Sequence, residues 1–130
     1  MELQVGVKVL LKNKIGEFLF IKRADGRQKG MWDIGGGRMN PGIPLFENLQ
    51  RELREELGFE IKKQPKLLFA QDIIHDNEKH IVRLTFGSEE VFDISPVLSE
   101  EHSEFIWLDK QKALALPGLD PLIKTVLGSL

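Results

Sequence analysis

A chain of 130 residues, with 42% hydrophobic and 29% charged residues, has the length and composition of one globular domain, which we expect to span residues 1–130. Its 18 basic and 20 acidic residues leave a net charge of −2, which gives no signal for binding to nucleic acid or to an anionic membrane. The sequence has no cysteine, no apolar run of the roughly 18 residues that span a bilayer and no recognisable secretory signal, so disulfides and thiolate catalysis are excluded and we expect a cytoplasmic protein.

The first part of the chain predicts a β-hairpin and a glycine-rich loop. Apolar side chains alternate with other residues from residue 5 to residue 11, which is the period of a strand. A turn signal at residues 13–16 precedes a short aromatic and β-branched run at residues 18–21, so we expect a second strand that completes a hairpin. A polar loop follows, and residues 31–34 predict a short strand that enters the triplet Gly35-Gly36-Gly37.

Residues 45–57 predict an amphipathic helix with an unusual density of carboxylates. Five apolar residues fall within about 120° on a helical wheel: Leu45, Phe46, Leu49, Leu53 and Leu57. Glu52, Glu55 and Glu56 cluster within about 100°, and Glu52 and Glu56 border the apolar stripe. These acids are therefore expected at the edge of the core.

The carboxylates of this helix break two local rules. Glu52 and Glu56 form an i,i+4 pair of like charge, and Glu55 and Glu56 stand in the last helical turn, where the helix dipole disfavours anions by roughly 0.3–1 kcal/mol. A hard divalent cation, which takes carboxylate oxygens, would stabilise such an arrangement. The alternative is a solvated charged face, in which Arg51 forms ordinary i,i+4 pairs with its acidic neighbours.

The second half of the chain predicts mostly strands. Residues 67–74 and 80–86 predict two strands joined by a turn at 75–78, and residues 91–94 predict a short edge strand. A polar loop is expected at residues 96–104 and a final strand at 105–108. Asp109 is expected to cap a short helix through Leu114, and Asp120-Pro121 to begin a last helix that ends near Leu127. Mixed strands with few helices predict an α+β fold.

The segment from Gly37 to Phe59 resembles the signature of the Nudix hydrolases, which is Gly, five residues, Glu, seven residues, then Arg-Glu-apolar-any-Glu-Glu-any-Gly-apolar. Gly37 fits the first position, and residues 51–59, Arg-Glu-Leu-Arg-Glu-Glu-Leu-Gly-Phe, fit the whole second half. Ile43 stands where the first glutamate is expected, and that loop acid normally steadies the glycine turn and assists the metal site in the family. The resemblance implies the Nudix fold, a mixed β-sheet sandwiched between α-helices (α/β/α), with the helix of the signature lining the cleft.

The resemblance also implies a set of site residues. The metal, Mg²⁺ with Mn²⁺ as an alternative, is expected on Glu52, Glu55, Glu56 and the carbonyl of Gly36. Arg51 is expected to orient the glutamates, and Glu52 or Glu101 to accept the proton of the attacking water, with Glu104 as the second choice for the acid of the 99–104 loop. The expected substrate-binding residues are Arg23, Trp32 and Gly37, although a surface arginine and a core tryptophan are the ordinary alternatives.

The reaction implied is metal-dependent cleavage of a pyrophosphate in a nucleoside diphosphate linked to another moiety. A nucleoside triphosphate or a nucleotide sugar is the expected small-molecule partner, and a homodimer, common in the family, is left open. One alternative is a nucleotide-binding module with impaired catalysis, which Ile43 favours. Another is a nucleotide-sugar hydrolase that attacks the sugar carbon, with His102 as the base.

Overall fold

A computed structural model describes all 130 residues, and its strands form one mixed sheet. The seven strands are β1 (Glu2–Lys12), β2 (Phe18–Arg23), β3 (Trp32–Asp33), β4 (Gly35–Arg38), β5 (Lys66–His75), β6 (Lys79–Val91) and β7 (His102–Leu108). The main path through the sheet is β3-β2-β1-β6-β5, while β4 also pairs with β1 and β7 with β2. β1 and β6 are parallel and every other pair is antiparallel.

Three helices cover the sheet: α1 (Leu45–Leu57), α2 (Lys110–Leu114) and α3 (Pro121–Gly128). Buried residues of α1 pack with Val7, Val9 and Leu11 of β1 in one apolar cluster. Leu10 of β1 belongs to a second cluster with α2 and α3. Because neighbouring strand residues point to opposite faces, helices lie on both sides of the sheet, and the predicted α+β fold with its α/β/α layers is confirmed. None of the three helices has the length and apolar character needed to cross a membrane.

The helix ends follow the local signals of the sequence. Gly58 ends α1 in the left-handed conformation, at a φ of 75°, and donates its N–H to the carbonyls of the last turn. The Asp109 carboxylate accepts the backbone N–H of Lys112, and the Asp120 carboxylate accepts that of Leu122. The predicted starts of the two C-terminal helices are therefore confirmed, since both aspartates act as N-terminal caps.

Two boundaries predicted in the second half are wrong. No separate strand forms at residues 91–94, because β6 continues to Val91 and the ring of Phe92 then packs on Phe59 with centroids 5.1 Å apart. The loop predicted at residues 96–104 ends earlier, because β7 begins at His102 and its polar residues pair with β2. Backbone pairing to β2 makes these residues a strand, although their side chains show no apolar alternation.

The cleft of the protein follows from the way β1 is paired. β1 and β2 pair only at Lys12 and Phe18, so the two strands separate towards the start of β1. β4 runs antiparallel along the separated part of β1, where Lys8 is opposite Gly36. The glycine triplet therefore lies beside the middle of β1, with α1 directly following its loop.

Candidate active site

A cavity of about 270 Å³ opens beside the glycine triplet and brings together acids and cations from distant parts of the chain. The acids that line it are Glu52, Glu56 and Glu101. The cations are Lys8, Arg23, Arg38 and Arg83. A small polar cavity with both signs of charge can hold a charged ligand together with its counter-ion.

Glu56 is the most buried acid of this cavity. Its residue is only 6% exposed, and its Oε1 accepts the backbone N–H of Gly36 at 2.7 Å. Burial raises the pKa of Glu56 to about 8, while the charge of Lys8 and the Gly36 N–H act in the opposite direction. Without a further positive charge, this carboxyl is therefore held largely neutral near pH 7.

Glu52 lies one helical turn earlier and is held directly under the glycine loop. A Cβ atom at Gly37 would be 2.6 Å from the Glu52 Cδ, so the close approach of this carboxylate requires glycine there. Arg51 Nη2 contacts Glu52 Oε1 at 3.0 Å. Burial raises the pKa of Glu52 even though the Arg51 guanidinium lowers it.

Gly36, the predicted carbonyl ligand, also lines the cavity and has no room for a side chain. A Cβ atom at this position would be 2.0 Å from the Val7 carbonyl oxygen, and its φ of 131° is in the region that only glycine adopts readily. Glycine is thus required where β4 passes closest to β1.

Glu55 and Glu101 occupy contrasting positions. The Glu55 side chain is 59% exposed, contacts Arg51 Nη1 at 3.4 Å and does not line the cavity. Glu101 lines the cavity, and one oxygen of Glu56, one of Glu101 and one nitrogen of His102 lie within 4.8 Å of one another. Glu104, the second choice from the sequence, lies outside the cavity and contacts Lys22 at 3.3 Å.

His102 is buried behind the cavity wall at 4% exposure. Burial lowers its pKa first, and the positive charge of Arg23 lowers it further, so the imidazole is neutral near pH 7. Its Nδ1 has no hydrogen-bond partner. The ring does not line the cavity itself.

Two cations of the cavity are held by a buried aspartate that sequence reasoning missed. Lys8 Nζ lies 3.0 Å from Asp33 Oδ2 and donates to the Ile34 carbonyl at 3.3 Å, and Arg23 Nη1 lies 3.9 Å from the same Asp33 oxygen. Burial acts to raise the pKa of Asp33, but Lys8, the Ile34 N–H and more weakly Arg83 together lower it. An ionised Asp33 therefore holds Lys8 and Arg23 at the cavity.

The sequence did contain a signal for Lys8 and Arg83, two cations of the cavity that were not predicted. Lys8 interrupts a β-branched strand whose neighbours, Val7 and Val9, are both buried, and Arg83 likewise stands between apolar residues of β6. A lysine within a strand that is covered on both faces needs a partner, so a buried acid could have been sought. The period-two pattern showed only that Lys8 lies on the strand face opposite Val7 and Val9.

Trp32 is placed away from the cavity. It packs against the apolar cluster of α2 and α3, and its backbone N–H donates to Gly118. Lys22 Nζ lies 5.7 Å from the centroid of its ring. This position gives Trp32 a packing contact and a cation–π contact, and no contact with the acids.

The loop that carries Ile43 is tied to α1 by other side chains. The fully buried Asn48 accepts the Asn40 N–H at 2.9 Å and donates to the Arg38 carbonyl at 3.3 Å. Arg51 Nη2 contacts the same carbonyl at 3.5 Å and the Asn48 Oδ1 at 3.2 Å. The glycine loop therefore has hydrogen-bonded anchors on the helix although Ile43 offers none.

The chemistry of this site fits a hard divalent cation. Glu52, Glu56 and Glu101 offer carboxylate oxygens around one cavity, and oxygen ligands are those that Mg²⁺ prefers. Burial raises the pKa of Glu52 and of Glu56 by more than the nearby charges of Arg51 and Lys8 lower it. A bound cation would supply further positive charge and favour the ionised form of both residues.

The comparison with known proteins agrees with this geometry. The sequence model of the NUDIX domain matches residues 2–127. The chain belongs to the Nudix hydrolase family. The resemblance of residues 37–59 and the prediction of a Nudix-type enzyme are thereby confirmed.

Similar proteins are known from bacteria and archaea. This Nudix hydrolase is 29% identical to the nucleoside triphosphatase NudI of Escherichia fergusonii, over 80% of this chain and 89% of that protein. It is 30% identical to the CTP pyrophosphohydrolase of Escherichia coli, over 78% of this chain and 73% of that protein. The crystal structure of the MutT protein of Methanosarcina mazei matches with a TM-score of 0.86 and 27% identity, over 97% of this chain and 91% of that chain.

Proposed function

We propose that this Nudix hydrolase cleaves nucleoside triphosphates to a nucleoside monophosphate and pyrophosphate, with Mg²⁺ as its cofactor. The observation that carries the proposal is the meeting of Glu52, Glu56 and Glu101 with Lys8 and Arg23 at one cavity. The names of two relatives, a nucleoside triphosphatase and a CTP pyrophosphohydrolase, support a triphosphate substrate over a nucleotide sugar.

The metal-binding residues are Glu52, Glu56, the Gly36 carbonyl and Glu55. The first three line the cavity, whereas Glu55 must turn away from Arg51 to join them. A bound Mg²⁺, or Mn²⁺ in its place, neutralises phosphate charge and lowers the pKa of the attacking water. Arg51 holds Glu52 through its Nη2 and thereby fixes the carboxylate beneath Gly37.

Lys8 and Arg23 bind the phosphate oxygens of the substrate. Both side chains line the cavity, and a guanidinium matches phosphate oxygens in two-point contacts. Asp33 is a positioning residue, because its contacts hold the ammonium and the guanidinium in place before the substrate arrives. Preorganised charges of this kind need no reorganisation during the reaction.

Glu101 accepts the proton of the attacking water. Its carboxylate lines the cavity and makes no hydrogen bond or ion pair with another side chain, whereas one oxygen of Glu52 is already occupied by Arg51. The water oxygen forms a bond to phosphorus as the bridging P–O bond breaks, the proton passes to Glu101, and pyrophosphate leaves with the bonding electron pair.

The alternatives from the sequence have less support from the geometry. A binding module with impaired catalysis needs no cluster of metal-binding acids, yet Glu52, Glu56 and Glu101 line one cavity here. Attack on a sugar carbon would use His102, whose ring is buried outside the cavity. A single domain, a cytoplasmic location and a homodimer stay predictions.

A panel of nucleoside triphosphates and nucleotide sugars, assayed with and without Mg²⁺, tests the proposal. We expect triphosphates to give monophosphate and pyrophosphate only with a divalent cation. Glu101→Gln should lower kcat by about 10²–10⁴, the usual contribution of a general base, while the matched Glu104→Gln outside the cavity should not. Release of a sugar without cleavage of the pyrophosphate, or equal kcat values for the two variants, would overturn the assignment.

A further inference from the structure

The cavity has a second end, away from the acids, on strands β1 and β6. Gly6 of β1 is directly opposite Arg83 of β6, and Gln4 is opposite Ile81. Residues two apart on a strand share a face, so Gln4, Gly6 and Lys8 follow one another along the cavity. Gln4 lies four residues, or roughly 13 Å, from the phosphate-binding Lys8, a span that accommodates a sugar and a base.

Two polar atoms at this end have no partner in the protein. Gln4 is 8% exposed, and its Nε2 donates to the Glu2 carboxylate at 2.8 Å, which leaves Oε1 as an unpaired acceptor. A carboxylate only accepts hydrogen bonds, so this contact fixes the orientation of the amide. Arg83 also lines the cavity, and its Nη1 is an unpaired donor. Buried polar groups in proteins are normally paired, so these two atoms indicate a missing polar ligand.

The glycine between them leaves the floor of the cavity flat. A Cβ atom at Gly6 would meet nothing closer than Ile81 Cγ2 at 3.7 Å and the Gly37 oxygen at 3.9 Å, so a side chain there is excluded by no neighbour. Because Gly6 has no side chain, the backbone between Gln4 and Arg83 is open, and a planar ring can lie on it. Ile81 supplies an apolar contact beside it.

We infer, on the basis of the proposed function, that Gln4 and Arg83 recognise the base of the nucleotide and select guanine. A phosphate offers only acceptors at neutral pH and would leave Gln4 Oε1 unpaired, whereas a base offers a donor and an acceptor side by side. The guanidinium matches the adjacent O6 and N7 acceptors of guanine, while adenine presents its N6 amino donor there. The guanine N1–H or amino group then donates to Gln4 Oε1.

The test measures kcat/KM with Mg²⁺ for GTP, dGTP, ATP, CTP and UTP, and the binding of GMP and AMP by calorimetry. We expect guanine to be preferred over adenine by about 10- to 100-fold, the discrimination of a good two-point contact. Arg83→Met and Gln4→Met should each reduce that ratio. Lys79→Met, which removes a positive charge from the same strand outside the cavity, should keep it.

Gly6→Ala tests whether the base lies against the backbone of Gly6, and it removes no polar group. The added methyl has only ordinary contacts, so thermal unfolding should be nearly unchanged while GMP binds several-fold more weakly. This variant keeps the inference testable if Arg83→Met, which removes a charge close to Asp33, does not fold.

The outcomes separate the two proposals. Equal binding of GMP and AMP by the unaltered protein, or the same loss for both in Arg83→Met, would assign Arg83 to phosphate and overturn the inference. A preference for GTP over dGTP without any preference for GTP over ATP would assign the pair to the sugar and overturn it as well. If GMP is preferred but no triphosphate is hydrolysed, the proposed function fails and base recognition stands.

Discussion

The two halves of the segment from Gly37 to Phe59 are built in opposite ways. In the helical half, Glu52 and Glu56 are brought to the cavity by burial, and the apolar stripe of α1 fixes their direction. In the loop half, no residue of the cavity is buried by apolar packing. The loop is held by its backbone: the Arg38 carbonyl accepts hydrogen bonds from Asn48 and Arg51, and the Asn40 N–H donates to Asn48.

The comparison shows that one function of a missing residue can be taken over by another part of the same site. In the family the loop acid steadies the glycine turn, and Ile43 cannot do so because it has no polar atom. Asn48 reaches the same turn from the helix and pairs a backbone donor and a backbone acceptor. The second role of the loop acid, its assistance to the metal, has no such substitute in the loop.

The helical half should show the largest effect. Glu56→Gln removes a buried ligand oxygen, and we expect kcat with Mg²⁺ to fall by about 10³, because a catalytic cation contributes several kcal/mol. The same change should raise the free energy of unfolding in the absence of metal, since it removes a buried carboxyl that is costly to ionise. Steady-state kinetics and urea unfolding measure the two effects.

This prediction is specific because kcat should fall while the free energy of unfolding rises. Glu47→Gln, a substitution of an exposed acid in the first turn of α1, is the matched control: it should leave kcat unchanged and should lower the free energy of unfolding by no more than about 0.3–1 kcal/mol, the usual contribution of an acid there. A Glu56→Gln protein that is less stable without metal would contradict the assignment of Glu56 as an uncompensated buried acid.

The junction between the halves should show the next largest effect. Gly37→Ala places a methyl group 2.6 Å from the Glu52 Cδ, so the flexible carboxylate must move away from the loop. We expect kcat to fall by about 10- to 100-fold, as for losses of groups that orient metal ligands, with a smaller change in stability. Gly128→Ala, where the added carbon meets nothing within 4 Å, is the control.

A stability loss in Gly37→Ala without any kinetic effect would show that the close approach of Glu52 is structural. Glycine would then be required at this position for stability and not for the reaction. The comparison of the two halves would then rest on Asn48 alone.

The helical half was predictable from sequence because its signal is periodic. The spacing of Leu49, Leu53 and Leu57 fixes which side of α1 is buried, and Glu52 and Glu56 follow from that direction at the edge of the stripe. Glu55, which the same wheel grouped with them, is instead exposed. A helical wheel gives the direction of each side chain about the helix axis. It does not show how far the neighbouring strand extends, and so it does not show which of these side chains the strand covers.

The contacts between distant segments could not be predicted in this way. Asp33 and Lys8 are 25 residues apart in sequence, and their pairing depends on how β3 pairs with β2 while β4, which follows it directly, pairs with β1. The start of β7 at His102 depends in the same way on pairing with β2. These features depend on which strands become neighbours in the sheet, and the residues of one strand do not specify that neighbour.

The loop half should show a moderate effect. Asn48→Ala leaves the Asn40 N–H and the Arg38 carbonyl without their partner, so we expect a loss of stability of about 1–3 kcal/mol and a fall in kcat of about tenfold. The substitution Ile43→Glu in the Asn48→Ala background should recover part of the kcat, because it restores a loop acid. Unfolding curves and kinetics of the two single variants and the double variant form the cycle.

Additive effects of the two substitutions, with no recovery of kcat, would contradict the view that Asn48 takes over from the loop acid. Gln64→Ala, a change outside the loop and the cavity, controls for the loss of a side-chain amide.

The smallest effect is the pH dependence of stability without metal, and it tests the helical half alone. The folded pKa of Glu56, about 8, is above the unfolded value of 4.5, so the folded state binds more protons than the unfolded state between these limits. The free energy of unfolding must therefore fall as pH rises through this window and level off above it. Between pH 7 and pH 8 we expect a loss of about 1 kcal/mol, in a range where the lowered pKa of His102 no longer contributes.

Glu56→Gln should abolish this slope, and saturating Mg²⁺ should do so in the unaltered protein, because a bound cation keeps the carboxylate ionised in the folded state. A slope that survives both changes would belong to another group, and the burial of Glu56 would then not be what prepares the site for its metal.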